Sequence, residues 1–424
     1  MTSIDRELAP DRAAIPAVVW LSFASAALAW LFDAMDLTIF LLVLHPSVSE
    51  LIGSNDPGQV AAHGGIALAC KLLAWGLGGI AFGIVADRVG RARTMMITVL
   101  IYSLFTGLSG LARDFGQLVL LQSLAGVGIG GEWAAGAALV AETWPERSRP
   151  RALLAMHMAF AGGFFLAGLL NVLIGPAGWR WVFIAGAAPA LLALALRWLV
   201  PEPARWLALR RQGPRPAAVQ LLRAIFAPGL RRNTIVGVSI AAAMMVGAWG
   251  TTSLLSIWIV QLVGPGDNRH AVAATGQAFM LANAGAVFAL LPLMWLNRAL
   301  GRRWSYALVA AGCFVTAVFA FTALDQLDAL LRFMPVYGFF AIGGFAIFAV
   351  YLPELFPTPI RATGQGFCWN AGRLLTALGP LTSGLLVDKL GSVPMAAALL
   401  SSAYLVGLVA IWFGPETRHA PLGD

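Results

Sequence analysis

Long apolar runs, each closed by a short polar stretch, set the pattern of this chain from residue 17 to residue 413. A helix crossing a bilayer needs about 20 predominantly apolar residues. On that measure the pattern predicts twelve spans, near 17–44, 62–86, 94–112, 116–142, 151–174, 179–200, 234–262, 271–296, 304–324, 329–352, 362–387 and 394–413. The polar stretches between them are short, except for 201–233, which carries Pro201, Pro203, Pro214 and Pro216 among several arginines. The expected division is a segment 1–16, a six-helix bundle 17–200, a linker 201–233, a second six-helix bundle 234–413 and a tail 414–424.

Composition leaves one broad class. The 424 residues are 59% hydrophobic and 11% charged, with mean hydropathy +0.80, whereas soluble domains carry about 25% charged residues. An all-α integral membrane protein is expected. The net charge of +8 is spread in small clusters between apolar runs, so it does not point to nucleic acid. Cys70, Cys313 and Cys368 all fall within apolar runs, and no disulfide framework is implied. The first residues, with Asp5, Arg6, Glu7, Asp11 and Arg12, hold no apolar core, so no cleavable signal is expected and the first span acts as the anchor.

Arginine sets the orientation. Arg6, Arg12, Arg88, Arg91, Arg93, Arg147, Arg149, Arg151, the 201–233 arginines, Arg298, Arg302, Arg303, Arg361 and Arg418 fall on one side. The opposite loops offer only Arg113, Arg180, Arg269, Arg332 and Lys389. By the positive-inside rule both termini and the linker are cytoplasmic, and a bacterial inner membrane is the expected location.

The two halves repeat. Asp87-Arg88-x-Gly90-Arg91 returns, with one residue inserted, as Asn297-Arg298-x-x-Gly301-Arg302-Arg303. Glu142-x-x-Pro145-x-x-x-Arg149 returns as Glu354-x-x-Pro357-x-x-x-Arg361. Ile129-Gly130-Gly131 returns as Ile342-Gly343-Gly344, and Pro201-Glu202 as Pro415-Glu416. Parallel repeats joined by a linker imply two bundles that rock about a central site.

Charged residues inside spans are the candidate chemistry, because a charge in hydrocarbon is tolerated only against a partner or a wet cavity. Asp33 and Asp36 lie one helical turn apart in the first span. Either they face the bundle interior or they are wetted at its outer end. Two carboxylates so close in low dielectric repel when both are ionised, so one tends to hold a proton. Lys71 and Asp33 lie roughly 14 and 16 Å from the outer ends of their expected spans. Pairing of Lys71 with Asp33, or with a bound anion, is therefore expected. Arg373 lies roughly 17 Å into the eleventh span, after Trp369 and Asn370. It is expected either to hold a substrate anion in its planar fork or to form an ion pair across the bundles. Glu132 in the fourth span is either a proton acceptor or an anchor for an arginine. Tyr337 is a further candidate for the cavity wall, as are His157, Asn171, Trp249, Gln277 and Asn283. Asp87, Arg88, Arg91, Glu142, Arg149, Glu354 and Arg361, at span ends, are the candidate gate.

These stretches carry a family resemblance. Gly83-Ile84-Val85-Ala86-Asp87-Arg88-Val89-Gly90-Arg91-Ala92-Arg93 resembles the signature between the second and third helices of the major facilitator superfamily. The GGEW stretch at 130–133, ETWPERSR at 142–149, PELFPTPIRATGQGF at 353–367, NAGR at 370–373 and the D-x-x-D of the first span resemble its metabolite:proton symporter branch. That branch carries aromatic acids, sialate and other organic anions. The resemblance covers the whole chain. It implies the twelve-helix fold, a gate at Asp87, Arg88 and Arg91, and proton-coupled movement of a small organic anion by a monomer without cofactor. Two departures stand out. Ala34 replaces a glycine, and Gln122 stands where relatives commonly carry an arginine. Lys71 either takes over that charge or the coupling scheme is altered. Pro201-Glu202-x-x-Arg205-Trp206-Leu207 and Pro415-Glu416-Thr417 resemble sugar-porter motifs, which keeps a neutral sugar as an alternative cargo. A membrane receptor that senses a ligand without moving it is a further alternative, and a large soluble tail would be expected of it; an enzyme lacks a catalytic constellation here, and no glycine-rich nucleotide loop is present.

Overall fold

The computed structural model describes residues 15–418 apart from 55, 212–215, 265–267, 377–385 and 388. It is all-helical among those residues, and ten helical stretches are long and apolar enough to cross a bilayer. The first six spans are Ala17–Ile52, Pro57–Val89, Arg91–Ser109, Phe115–Thr143, Arg149–Ile174 and Trp179–Trp198. The second half begins with Arg231–Val263 and continues through Asn268–Phe288 with Leu290–Ala299, Gly301–Thr322, and Leu327–Ala341 with Ala346–Glu354. The described part of the eleventh span is Arg361–Thr376. The twelfth is Val393–Ser401 with Ala403–Ala410. The expected fold class, twelve transmembrane helices in two halves, is the one observed.

The first two spans are longer than hydropathy suggested. The first continues through Pro46 to Ile52 and stops at Gly53, whose φ of 65° is a left-handed cap. The second starts at Pro57, where Asp56 accepts a hydrogen bond from the Gln59 backbone N–H at 2.8 Å. Three described spans of the second half are interrupted, the twelfth at Ser402. In the eighth, Pro292 leaves Phe288 without an N–H four residues on. In the tenth, Gly343 and Gly344 tighten into a 3-10 turn.

The 201–233 linker carries two short helices, Ala204–Arg210 and Ala218–Ile225. They are tied down. Trp206 Nε1 donates to the Asp87 carbonyl at 3.1 Å, and Leu221 and Ile225 are buried.

Small residues set the helix contacts that matter for function. Gln122, Gly126 and Gly130 share one face of the fourth span. A Cβ on Gly126 would meet the Lys71 carbonyl at 2.6 Å, and one on Gly130 would overlap the Trp75 carbonyl. The second and fourth spans are thus in backbone contact, which brings Lys71 opposite Gln122. On its other face the second span meets the eleventh across the two halves. Gly79 leaves room for Asn370, and a Cβ on Gly83 would meet the Ala362 carbonyl at 2.7 Å.

Candidate functional site

A polar cluster inside the first half is followed, toward the linker side, by groups along the boundary between the halves. The cluster is built on the first span. Lys71 Nζ donates to Asp36 Oδ2 and to Gln122 Oε1, both at 2.7 Å, and Thr106 Oγ1 donates to Asp36 Oδ1. Gln122 Nε2 completes the cluster by donating to Ser109 Oγ at 2.9 Å. The expected Lys71–Asp33 pair is corrected to Lys71–Asp36. The reason is helix length. Lys71 is fourteen residues from Pro57, and Asp36 is sixteen from Ile52. Asp33 is a turn deeper, toward the level of Trp75, on which Arg373 of the other half rests.

Arg373 is the second cation. Its guanidinium carbon lies 3.8 Å from the centre of the Trp75 ring and 5.9 Å from that of Trp369. Close stacking on an indole face is favourable for a desolvated guanidinium. Several polar atoms nearby are buried without a hydrogen-bond partner: Arg373 Nη1, Asn370 Oδ1, Trp75 Nε1 and Trp369 Nε1. Unsatisfied buried polar atoms are rare and call for an explanation such as a ligand or ion. Three donors and one acceptor are the functional groups needed to hold a carboxylate with a second polar substituent. Tyr337 does not join them. Its hydroxyl shares a hydrogen bond with Thr251 Oγ1 at 2.8 Å, inside the second half. Glu132 accepts from Thr98 Oγ1 at 2.5 Å, inside the first.

An aromatic layer lies next. Trp133 and Trp369 stack across the boundary, with centroids 4.4 Å apart and planes at 15°. Trp30, His157, Phe345 and Phe348 pack around them.

On the linker side an ion network joins the halves. Glu142 Oε1 accepts from Arg91 at 3.0 Å and from Arg361 at 2.9 Å. Arg91 also donates to the Thr358 carbonyl at 2.8 Å and pairs with Asp87 at 3.0 Å. Asp87 in turn accepts from the backbone N–H groups of Ala362 and Thr363, at 3.3 and 2.7 Å, at the start of the eleventh span. A carboxylate at a helix N-terminus is favoured by the exposed amides and the dipole. Arg88 is exposed and takes no part. Arg149 pairs with Glu146 at 3.3 Å, and Glu354 holds Arg302 through two bonds of 2.8 and 2.9 Å. Neither Arg149 nor Glu354 bridges the halves through these bonds.

The repeated Pro-Glu motifs also find their place. Glu202 accepts from the backbone N–H groups of Arg91, Ala92 and Arg93 at 2.6, 3.2 and 3.0 Å. Glu416 does the same for Arg302 and Arg303 at 2.9 and 3.1 Å. Each reaches a helix start across a glycine with positive φ, Gly90 at 124° and Gly301 at 84°.

Trp75, Thr106 and the two capping glutamates were not picked out as site residues from the sequence. Trp75 had one usable signal: it falls four residues after Lys71, on the same helix face.

The Major Facilitator Superfamily profile matches residues 26–368. A probable 4-methylmuconolactone transporter of Cupriavidus pinatubonensis is 29% identical, over 92% of this chain and 89% of its own. A cis,cis-muconate transport protein of Acinetobacter baylyi is 29% identical, over 97% of this chain and 98% of its own. Among solved structures, the proton:xylose symporter XylE bound to 6-bromo-6-deoxy-D-glucose superposes with a TM-score of 0.76. It is 19% identical and covers 95% of this chain and 97% of its own, so it bears on the fold.

Proposed function

The chain belongs to the Major Facilitator Superfamily, a transporter family and not an enzyme family, and we propose that it moves a small organic anion together with protons by alternating access. One observation carries the anion. Arg373 is half-buried, lies at the boundary of the halves, and presents a buried guanidinium nitrogen with no hydrogen-bond partner. A guanidinium fork matches a carboxylate. Asn370, Trp75 and Trp369 would hold the rest of the solute. The relative named for cis,cis-muconate, an organic anion, supports this cargo class.

Asp33 and Asp36, one turn apart in the first span, are the candidate acids for coupling. When a proton neutralises the first-span side of the boundary, Arg373 is freed to take the incoming carboxylate. Substrate then links the halves through Arg373. Opening toward the linker breaks the Glu142–Arg361 and Asp87–eleventh-span contacts. Proton and anion each drive the cycle only by binding one state better than the other. Tyr337, bonded to Thr251, and Glu132, bonded to Thr98, are assigned to shaping their own halves. The linker side is cytoplasmic on the arginine distribution. The membrane is a bacterial inner membrane, and the working unit is a monomer.

The test is a ligand screen on purified protein. Organic acids and sugars are compared by thermal shift at two pH values. Stabilisation by acids alone, lost in Arg373→Ala, is the expected result. Stabilisation by sugars alone overturns the anion assignment.

A further inference from the structure

The two carboxylates of the first span, one turn apart, sit in different mechanical environments. Everything bonded to Asp36 belongs to the first half. Lys71 comes from the second span and Thr106 from the third, while Gln122 of the fourth and Ser109 of the third hold Lys71 in place. The cluster is closed to solvent: Lys71 and Gln122 are 0% exposed, Asp36 2%. Phe40 adds a ring 4.9 Å from the ammonium. A rigid rotation of one half against the other leaves this cluster unchanged. Asp33, in contrast, lies one turn from Asp36 toward the level of Trp75, the ring on which Arg373 of the other half rests, so its surroundings change whenever the halves move.

A coupling proton must bind one conformation better than another, because a group that sees the same surroundings in both states shifts no equilibrium. This requirement separates the two acids. Resting on the proton-symport reading above, we propose that Lys71, Gln122 and Thr106 lock Asp36 into a fixed ion pair, so that Asp33 alone exchanges the coupling proton. Gln122 acts as a positioning residue. Its amide oxygen takes one ammonium N–H and aims Lys71 at Asp36, away from Asp33. One proton enters onto the Asp33 carboxylate from one side of the membrane and leaves to the other; Asp36 and Lys71 gain and lose none.

The remaining groups on the neighbouring spans do not alter this division. Glu132 on the fourth is bonded to Thr98, and His157 on the fifth lies against Trp30 and Trp133. Arg180 on the sixth pairs with Glu50 at the opposite end from the linker. Asp87, Arg88, Glu142, Arg149 and Arg151 stand at linker-side helix ends.

The test needs no substrate. Full-length protein in lipid is titrated with acid and base while infrared spectroscopy follows the carbonyl stretch of protonated carboxylic acids. The expected result is one component of the titrating signal, over the common background of the chain's other carboxylic acids, that is lost in Asp33→Asn and kept in Asp36→Asn/Lys71→Gln, where the ion pair is replaced by two neutral amides. A titration that is the same in Asp33→Asn as in the unmodified protein overturns the proposal, as does loss of that component in the double variant. If the double variant does not fold, Asp33→Asn alone still decides. Gln122→Leu should move the pH midpoint of the Asp33 signal, and an unchanged midpoint removes Gln122 from its positioning role. The symport reading fails separately, if the unmodified protein shows no uptake driven by a proton gradient.

Discussion

The guanidinium of Arg373 lies 3.8 Å over the indole of Trp75, so a cation from the eleventh span rests on a ring from the second. This contact crosses the boundary of the two halves, and it is flanked by orphaned polar atoms of both. It makes Arg373 the point at which an anion can bind both halves at once.

Removing that cation should remove binding. A charge-assisted hydrogen bond contributes about 1.5–3 kcal/mol, so Arg373→Ala should weaken carboxylate binding roughly ten- to hundred-fold. Arg373→Lys keeps the charge but loses the planar fork, and should restore only part of it. Trp75→Leu, which removes the stacking face, should cost about 1–2 kcal/mol. Titration calorimetry on purified protein checks all three.

The Lys71–Asp36 pair should behave as a buried ion pair. Lys71→Met leaves a buried carboxylate without its counter-ion and should destabilise by about 3–5 kcal/mol. Lys71→Met with Asp36→Leu should recover most of that loss, because it removes both charges. Chemical unfolding in detergent measures the difference.

Gly90 is the most constrained backbone position of the linker side. Its φ is 124°, and a Cβ there would overlap the Glu202 carboxylate that caps the third span. Gly90→Ala should cost about 1–3 kcal/mol from backbone strain alone, plus the weakened cap. Gly301→Ala, with φ of 84° and a Cβ 2.7 Å from Glu416, should be milder. Melting curves of the two variants rank them.

The network around Glu142 should hold the linker side shut. Glu142→Gln removes the charge shared by Arg91 and Arg361. Residues beneath the network should then become accessible. A cysteine placed at Ala134, which is 0% exposed beside Gly366, should react with maleimide several-fold faster in Glu142→Gln in an otherwise cysteine-free chain.

Much of this was legible in the sequence, for physical reasons. Spans are readable because a bilayer demands long apolar runs, and Asp33, Lys71 and Arg373 are conspicuous because charges inside such runs are rare. The pairing was misread because depth was counted from helix ends that hydropathy does not mark. The first helix passes through Pro46 and the second starts at Pro57, and polar residues in both extensions hid them. Trp75 was passed over, despite its place one turn after Lys71, because an aromatic residue in an apolar run looks like lipid-facing or core packing until its neighbour is known. Arg88 and Arg91 are equivalent as text. Only the turn at Gly90 buries one and exposes the other. The Pro-Glu repeat was seen, but its role as a helix cap needed the fold.

Transport against a gradient tests the central claim most directly. Protein in sealed liposomes is given the acid that stabilises it best, with an inward proton gradient. Accumulation of the acid above its external concentration, abolished by a protonophore and by Asp33→Asn, is predicted. Equilibration without accumulation, or accumulation that Asp33→Asn leaves intact, contradicts the account.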